Sequence, residues 1–405
     1  MKYPGFIKLL EELNKGTKSA LTKKKIIGYY IGSNVSTIPE LSKELNLSIP
    51  TVTKLVVEMC EDGILSDKGK LETAGGRYPN QYGLNPDACY FVGVDINQFC
   101  INIGLINFNG EIIREDTDVN YNFENTPEAL ETLCQLVEDF VDSSAVDKDL
   151  ILNINFNISG RVDPIAGYSY SIFNFEDRAL GAILSDRFHC QVTIDNDTRA
   201  MTYGEFLNGC VTNEKNIVFV NVSWGIAVGI IIDGHIYYGK SGFSGEIGHV
   251  KTFDNNIMCH CGKMGCLETE VSGAAMSRIL TERIKAGEQS ILAEYISHEK
   301  SITLGCILRA IFAEDPLTID VLDEMAQKLG KYLSGLINVL NPEMLIVGGA
   351  LSEVGDLLLL PLYSALRKYS LRIVSKDSEV VLSKLKSKAG LVGSCLLARS
   401  RMFEE

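Results

Sequence analysis

One histidine and three cysteines fall within 18 residues of the chain: His249, Cys259, Cys261 and Cys266. Three thiolates and one imidazole form a ligand set that suits a closed tetrahedral Zn²⁺ site. Gly262 and Gly265 allow the backbone to turn tightly enough to bring the four side chains together. The C-x-C spacing differs from the commoner C-x₂-C, so unligated thiols remain an alternative. The pattern predicts a structural zinc site, with His260 facing solvent between two ligands.

Two carboxylates flank this cluster. Glu246 precedes His249 by three residues, and Glu268 follows Cys266 by two. A carboxylate can accept hydrogen bonds from two vicinal hydroxyl groups, and a loop held by a metal would keep it oriented. These acids therefore indicate sugar recognition, and surface acids on a zinc loop are the alternative.

The elements that must carry these residues begin with a small N-terminal module. Three stretches have the apolar spacing of helices, and two further stretches can pair as strands: 18–31, 39–45 and 49–59, then 64–65 and 82–84. Thr37 and Glu40 have the spacing of a capping box for the second helix. Ser48 can cap the third helix, which is expected to end at Asp62-Gly63. Two short helices followed by a hairpin predict a winged helix-turn-helix.

The charge of the module agrees with nucleic-acid binding. Twelve Lys or Arg and nine Asp or Glu give the first 80 residues a net charge of +3, in a chain whose net charge is −14. Thr51, Thr53 and Lys54 are expected on the open face of the third helix, beside Ser48, and Arg77 offers a cation to a narrow minor groove. The pattern predicts DNA binding, and a protein-binding helical bundle is the alternative.

The remainder of the chain contains a repeated strand-turn-strand pattern. It occurs at residues 90–113, with a first turn at 95–98, and again at 217–238, with a first turn at 223–225. Helical stretches are predicted over 127–141, 274–285 and 318–340. Strands that alternate with helices in two related halves predict an α/β body with a ligand cleft. The other eight cysteines are scattered, and we expect them to be reduced and mostly buried.

These motifs resemble the ROK family of sugar kinases and sugar-responsive repressors over nearly the whole chain. Residues 248–266 follow the family pattern of G-H and then C-x-C-G-x-x-G-C, and the Gly-Gly-Arg-x-Pro linker at 75–79 resembles the repressor branch, which includes the xylose and N-acetylglucosamine repressors. The resemblance implies a two-lobed, internally duplicated body of the actin/hexokinase (ribonuclease H-like) type and strengthens the zinc assignment. We expect a DNA-binding domain over 1–84, a smaller lobe over 85–196 plus 383–405, and a larger lobe over 197–382.

The resemblance also implies a set of sugar-binding residues: Asn157, Asn174, Asn196, Asp197, Glu246, His249 and Glu268. In family kinases the counterpart of Asp197 is the general base that activates the attacking hydroxyl. Asn157 stands where the family usually has glycine. The element Asn341-Pro342-Glu343 with Gly348-Gly349 resembles the family's N-P-E…G-G element near adenosine.

The departures from the family lie at the turns that hold nucleotide phosphates. The kinase turn is D-x-G-G-T, whereas this chain has Asp95-Ile96-Asn97-Gln98, which lacks both glycines and the threonine. The second turn, Ser223-Trp224-Gly225, carries a bulky tryptophan. Backbone N–H groups approach phosphate best where glycines line the turn, so we expect sugar binding without efficient phosphorylation.

The sequence therefore predicts a sugar-responsive transcriptional regulator, a repressor, that binds operator DNA as a homodimer or homotetramer and is released or recruited by a sugar or sugar phosphate. The alternative is an ATP- and Mg²⁺-dependent sugar kinase with Asp197 as general base, either alone or as one activity of a bifunctional protein. A sugar-binding protein without DNA function is a third reading, which the N-terminal module disfavours. No apolar run reaches the length of a membrane span, so a cytoplasmic protein without a membrane partner is expected.

Overall fold

The computed structural model describes residues 4–33, 35–70, 79–97, 100–298 and 300–403. The chain forms two compact units. The first comprises Met1–Gly160, Ala166–Asp195 and Ser394–Glu405, and the second comprises Arg161–Ile165 and Asn196–Gly393. In the described ranges, no helix has both the length and the apolar character needed to cross a bilayer.

The first unit begins with four helices and three short strands: α1 (Pro4–Asn14), α2 (Lys18–Gly32), β1 (Ser36–Thr37), α3 (Ile38–Glu44), α4 (Ile49–Glu61), β2 (Leu65–Lys70) and β3 (Asn80–Leu84). The capping box predicted for α3 is confirmed. The backbone N–H of Glu40 donates to Thr37 Oγ1 over 3.4 Å, and the N–H of Thr37 donates to the Glu40 carboxylate over 2.8 Å. Ser48 caps α4 by accepting from the N–H of Thr51 over 3.3 Å.

The strands of this region form an antiparallel sheet in the order β1-β3-β2. Lys23 of α2 is 5% exposed, and its ammonium group lies 3.2 Å from the Glu58 carboxylate and 3.6 Å from that of Asp62. This ion pair ties α2 to the end of α4. The linker glycines, Arg77 and Tyr78 lie outside the described residues.

The next elements of the chain are β4 (Tyr90–Ile96), β5 (Cys100–Asn107), β6 (Ile112–Asn120), α5 (Pro127–Asp142), β7 (Ile151–Ile158), β8 (Val162–Asp163), β9 (Tyr168–Ser169), α6 (Leu180–Phe188) and β10 (Gln191–Asn196). Five of these strands form the larger sheet of the first unit. Its order is β10-β7-β4-β5-β6. β4 pairs antiparallel with β5 and parallel with β7. The predicted first turn was placed too early, because Asp95 and Ile96 continue the ladder with β5 and the reversal follows at Asn97; Gln98 lies outside the described residues.

The following elements are α7 (Asp197–Asn208), β11 (Ile217–Val222), β12 (Ile226–Ile232), β13 (His235–Ile236), α8 (Gly273–Lys285), α9 (Ala293–Ser297), α10 (Leu304–Phe312), α11 (Pro316–Leu340), β14 (Met344–Gly348), α12 (Asp356–Tyr369), α13 (Arg372–Asp377), β15 (Glu379–Leu382) and α14 (Ala389–Phe403). All of these except α14 lie in the second unit. The sheet order is β13-β12-β11-β14-β15. β11 pairs antiparallel with β12 and parallel with β14. The two sheets thus share one arrangement, as the repeated sequence pattern predicts.

Helix α14 belongs to both units, since the division falls between Gly393 and Ser394 rather than at residue 383. Gly393 packs directly against the carbonyl of Ala200 in α7, so its lack of a side chain keeps the start of α14 with the second unit. Ser394 Oγ accepts from the N–H of Val94 in β4 over 3.1 Å, which joins the rest of the helix to the first unit.

Candidate metal centre and ligand site

The loop between β13 and α8 folds back on itself to assemble the predicted metal ligands. Two isolated antiparallel bridges, Lys251 with Cys266 and Met258 with Met264, close the loop. Gly262 and Gly265 have φ of +85° and +74°, a region that favours glycine. Gly265 also packs against the carbonyl of Phe253, where a side chain would clash. Both glycines therefore serve the turn that the sequence predicts.

The four predicted ligands bring one donor atom each to within 4.8 Å of one another: His249, Cys259, Cys261 and Cys266. His249 Nδ1 lies 3.6 Å from Cys259 Sγ, and the Sγ atoms of Cys261 and Cys266 lie 3.7 Å apart. Tetrahedral zinc, with Zn–S of about 2.3 Å and Zn–N of about 2.0–2.1 Å, requires donor separations of about 3.5–3.8 Å. The donor set and its spacing fit a metal ion.

A second set of possible ligands shares one member with the first. His249, His260 and Glu268 also lie within 4.8 Å of one another. A neutral imidazole offers one lone pair, so His249 cannot serve as a terminal ligand in both sets at once. The thiolate-rich set is the better match to zinc.

The two nitrogens of His249 face different groups. Nδ1 faces the thiols, whereas Nε2 lies 3.6 Å from a carboxylate oxygen of Glu246. Burial raises the pKa of the Glu246 carboxyl, and the charge of Asp197 adds to the rise, while His249, Arg161 and Arg199 act to lower it. His249 can therefore bind a metal through one nitrogen and present the other beside Glu246.

Glu268 is held at both carboxylate oxygens. Its Oε2 accepts from the N–H of Ile226 over 3.1 Å, and its Oε1 lies 3.0 Å from Nδ1 of His260. A Cβ added at Gly225 would lie 2.7 Å from Oε2, so glycine at this position leaves room for the carboxylate. Glu268, which we predict to bind the sugar, thus joins the loop of the metal ligands to the β11–β12 turn. His260 is exposed, as expected, and it also contacts Glu268, which the sequence analysis did not anticipate.

Asn196 and Asp197 stand at the start of α7 in the second unit. Asn196 Oδ1 accepts from the N–H groups of Thr198 and Arg199 over 3.0 and 3.2 Å, and its amide donates to Asp197 Oδ1 over 2.9 Å. Arg199 is buried and donates to the carbonyls of Gly242 and Val162. Asn196 therefore caps α7 and also holds the Asp197 carboxylate. The pair shares the second unit with Glu246, His249 and Glu268.

The other two predicted sugar-binding residues lie in the first unit. Asn174 is exposed in the segment that precedes α6, whereas Asn157 is fully buried in β7. The side-chain amide of Asn157 donates to Oδ1 of Asp95 over 3.1 Å. The predicted direct contact between Asn157 and a sugar stays a prediction, and the side chain has this structural role in addition.

A ladder of buried asparagines in β7 was missed by the sequence analysis. Asn153, Asn155 and Asn157 are each 0% exposed and point to one face of the strand. Asn155 donates to Asn157 Oδ1 and to Ser394 Oγ, and Asn153 donates to the carbonyl of Ala398 in α14. The signal was the alternation in ILNINFNI, in which one face of a strand that is buried on both faces carries amides.

The turn between β11 and β12 forms hydrogen bonds with other residues of the second unit. The carbonyls of Ser223 and Trp224 accept from the N–H groups of Gly273 and Ala274, over 2.8 and 3.0 Å. These two N–H groups belong to the first residues of α8. Carbonyl groups of the turn therefore already bind two of the donors at the N-terminus of this helix. Ser223 Oγ accepts from the N–H of Ala350 over 3.0 Å. The turn is thus engaged by protein groups at three points.

The predicted DNA-contacting residues lie along one exposed side of α4. Thr51 and Lys54 are exposed and Thr53 is partly exposed, while Ser48 precedes the helix. The Thr53 hydroxyl donates to the carbonyl of Ile49 over 2.8 Å, so the side chain directs its oxygen back to the helix. Ile49 and Val57, which the sequence analysis did not single out, expose 53% and 45% of their surface on the same helix.

Comparison with known proteins agrees with this architecture. The family model described as "ROK family" matches residues 91–401. The xylose repressor of Caldicellulosiruptor bescii is 30% identical over 399 residues, which cover 98% of this chain and 97% of that protein. A crystal structure of a ROK family transcriptional regulator, a homolog of the E. coli Mlc protein, matches with a TM-score of 0.79 and 25% identity over 95% of this chain and 97% of that chain.

A ROK family glucokinase from Streptomyces griseus, solved with glucose and AMPPNP, matches with a TM-score of 0.67 and 26% identity. This match covers 77% of the present chain and 99% of the glucokinase. The chain is therefore similar to a repressor, a transcriptional regulator and a kinase. The chain belongs to the ROK family.

Proposed function

We propose that this protein is a sugar-responsive transcriptional repressor whose N-terminal module, residues 1–84, binds operator DNA. The extent of the structural matches carries the proposal. The structural match to the glucokinase covers 77% of this chain, whereas the match to the transcriptional regulator covers 95%. A match over 95% of the chain includes most of the N-terminal helices and the hairpin, whereas the family model begins at residue 91.

In this proposal α3 and α4 form a helix-turn-helix, and the β2–β3 hairpin is its wing. Helix α4 enters the major groove, with Thr51, Thr53 and Lys54 facing base edges and Ser48 at the end nearest the DNA backbone. Support comes from the exposed position of these side chains on α4. Arg77, outside the described residues, is our proposed minor-groove contact from the linker.

The Cys₃His cluster is proposed to hold one structural Zn²⁺ through His249 Nδ1, Cys259, Cys261 and Cys266. When bound, the ion supplies a rigid cross-link between the two ends of the loop. Cys266 directly precedes the turn that carries Glu268, and His249 lies beside Glu246. The metal would therefore fix the two acids that we expect to bind the sugar.

The sugar or sugar phosphate is proposed to contact the set predicted from the family resemblance: Asn157, Asn174, Asn196, Asp197, Glu246, His249 and Glu268. The carboxylates accept hydrogen bonds from hydroxyl pairs, and the asparagines can donate and accept. Burial is the main cause of the raised pKa of Glu246, so part of the hydration of this acid is already lost before a sugar hydroxyl replaces the remaining water. A pentose, hexose or N-acetylated amino sugar fits this chemistry.

A sugar kinase that uses ATP and Mg²⁺ is the second candidate. The Asn196-Asp197 pair, with Asp197 as general base, and the match to a glucokinase favour it. Against it stand the turns that would hold phosphate. Asp95 accepts hydrogen bonds from three asparagine amides, and the start of α8 donates to the Ser223 and Trp224 carbonyls. Groups at both turns are thus engaged in hydrogen bonds within the protein, and the turns are poorly suited to stabilise a transferring phosphoryl group.

Repression requires that the sugar change operator affinity. We propose a homodimer, alone or within a tetramer, on a palindromic operator, because two-fold symmetric half-sites match a symmetric protein. A sugar with different affinities for the DNA-competent and incompetent states would shift the balance by about 1–3 kcal/mol.

The test starts with selection of duplexes from a random pool by the purified full-length protein. D-xylose, D-glucose, N-acetyl-D-glucosamine and their phosphates are then titrated against the selected complex, and ADP release with ATP and Mg²⁺ is measured in parallel. Enrichment of a palindrome whose binding responds to one sugar, with no ADP release, supports the repressor. Failure to enrich any sequence, together with sugar-dependent ADP release that Asp197→Ala abolishes, would establish the kinase instead.

A further inference from the structure

His260 makes a contact with the ligand site that zinc binding does not need. Its Nδ1 lies 3.0 Å from Oε1 of Glu268, and its ring packs edge-on against His249 with centroids 5.0 Å apart. The His260 side chain is 73% exposed, whereas that of Glu268 is 13% exposed. An exposed histidine therefore reaches inward to a largely buried acid that we expect to bind the sugar.

The backbone on both sides of His260 is fixed by the metal cluster. Cys259 and Cys261 are adjacent to it, and the N–H groups of Cys259 and Gly262 donate to the carbonyls of Lys263 and Cys259 over 2.8 and 2.9 Å. A tight turn with a ligand on each side sets the direction of the residue between them. The imidazole thus approaches Glu268 from a constrained position, and little entropy is lost on forming the hydrogen bond.

The two oxygens of the Glu268 carboxylate have different hydrogen-bond partners. Oε2 accepts from the N–H of Ile226, which belongs to β12, and Oε1 accepts from His260 on the zinc loop. Cys259 Sγ also lies 4.0 Å from Oε1, but a metal-bound thiolate has no proton to donate there. A carboxylate has about four acceptor positions, so with zinc bound two remain for hydroxyl groups of a ligand. Because both oxygens are held, the carboxylate cannot rotate freely. Its remaining acceptor positions therefore point in one fixed direction.

We infer that His260 is a positioning residue for sugar recognition: it donates from Nδ1 to Glu268 and fixes the carboxylate for a vicinal diol. A neutral imidazole with its proton on Nδ1 is sufficient for this role. The inference rests on the proposed function, because it assigns His260 a task in the same sugar site. It predicts that loss of the donor weakens sugar binding and leaves metal binding intact.

The experiment measures sugar affinity by calorimetry on the zinc-loaded full-length protein, with D-xylose, D-glucose and N-acetyl-D-glucosamine as probes. We expect His260→Ala to weaken binding of the preferred sugar about fivefold, the scale of one partly exposed hydrogen bond to a charged group. His260→Asn, whose amide nitrogen occupies a place close to Nδ1, should restore affinity to within about twofold of wild type. His298→Ala, at an exposed histidine beyond α9, is the matched control.

Zinc stoichiometry and the thermal midpoint are measured on the same samples and should not change in any of these variants. In a Glu268→Gln background, His260→Ala should have no further effect. Unchanged affinity in His260→Ala, loss of zinc from it, or an Asn variant as weak as the Ala variant would each overturn the inference. If wild type binds none of the probes or their phosphates, the proposed function and this inference fall together; if wild type binds and His260→Ala matches it, only the inference falls.

Discussion

The side-chain amide of Asn157 donates a 3.1 Å hydrogen bond to Oδ1 of Asp95, and both side chains are buried. Asn97 and Asn102 donate to Oδ2 of the same carboxylate over 3.2 and 3.4 Å. A buried charge is tolerated where hydrogen-bond donors surround it. Asn157 of β7 thus supplies a donor to an acid in β4, and this hydrogen bond stabilises the pairing of the two strands.

We expect Asn157→Ala to lower the free energy of unfolding by about 1–3 kcal/mol, because it removes a donor from a buried carboxylate and an acceptor from Asn155. Urea unfolding followed by circular dichroism measures the change. Asn174→Ala is the matched control at an exposed asparagine, and its effect should stay within about 0.5 kcal/mol. Equal stabilities for the two variants would show that the contact with Asp95 contributes little.

The capping box of α3 gives a pH-dependent prediction. Hydrogen bonds from the backbone and the hydroxyl of Thr37 lower the pKa of Glu40 below its usual value. The folded-state pKa is therefore below the unfolded one, so the stabilisation is present above the unfolded pKa and is lost as the pH falls through the folded pKa.

We expect Glu40→Ala to cost about 0.5–1 kcal/mol at neutral pH, in the range of helix N-caps. This cost should shrink toward zero as the pH falls below the lowered pKa of Glu40. Unfolding is measured at several pH values, with Glu44→Ala, an exposed acid at the end of the same helix, as control. A cost that stays constant with pH would mean that the carboxylate charge has no part in the cap.

The DNA-binding assignment is tested at Lys54, which is exposed on α4 with its ammonium group 3.9 Å from the Glu58 carboxylate. Lys54→Ala should weaken operator binding about tenfold, and if the lysine contacts a phosphate the slope of log K against log salt should fall by about 0.9. Sugar affinity should be unchanged. Lys285→Ala, an exposed lysine in the second unit, is the control, and equal operator affinities for the two variants would refute the placement of α4 in the groove.

Local signals in the sequence predicted much of the fold. Thr37 with Glu40, and Ser48, marked the starts of α3 and α4, because a cap is made within three residues of the helix it begins. The spacing of His249 and the three cysteines indicated the metal cluster for a similar reason, since its ligands lie on one short loop. Turn residues likewise placed the β11–β12 reversal.

Contacts between distant residues could not be predicted in the same way. Asn153 and Asn155 bond to Ala398 and Ser394, more than 200 residues away, so their partners depend on where α14 packs. The contact of His260 with Glu268 depends on how the zinc loop folds, which spacing alone does not specify. The position of the unit boundary within α14 depends on the close packing of Gly393, a tertiary feature.

The proposed link between the metal cluster and the response to sugar is tested at Cys261. Cys261→Ser replaces a thiolate by a weaker ligand in a four-ligand site, so we expect zinc content after dialysis to fall well below one ion per chain. The Cys259–Cys266 loop should then lose its fixed shape, and Glu268 with it. Sugar affinity should therefore fall by about tenfold or more, the scale seen when groups that orient a metal site are removed.

Cys190→Ser is the matched control, because Cys190 lies in the first unit, outside the cluster, and is partly exposed. It should keep full zinc content and sugar affinity. Removal of zinc from wild type with a chelator should reproduce the Cys261→Ser defect, and added Zn²⁺ should reverse it in wild type only. A Cys261→Ser protein that retains one zinc per chain would refute the assigned ligand set, whereas one that loses zinc but binds sugar normally would separate the metal from Glu246 and Glu268.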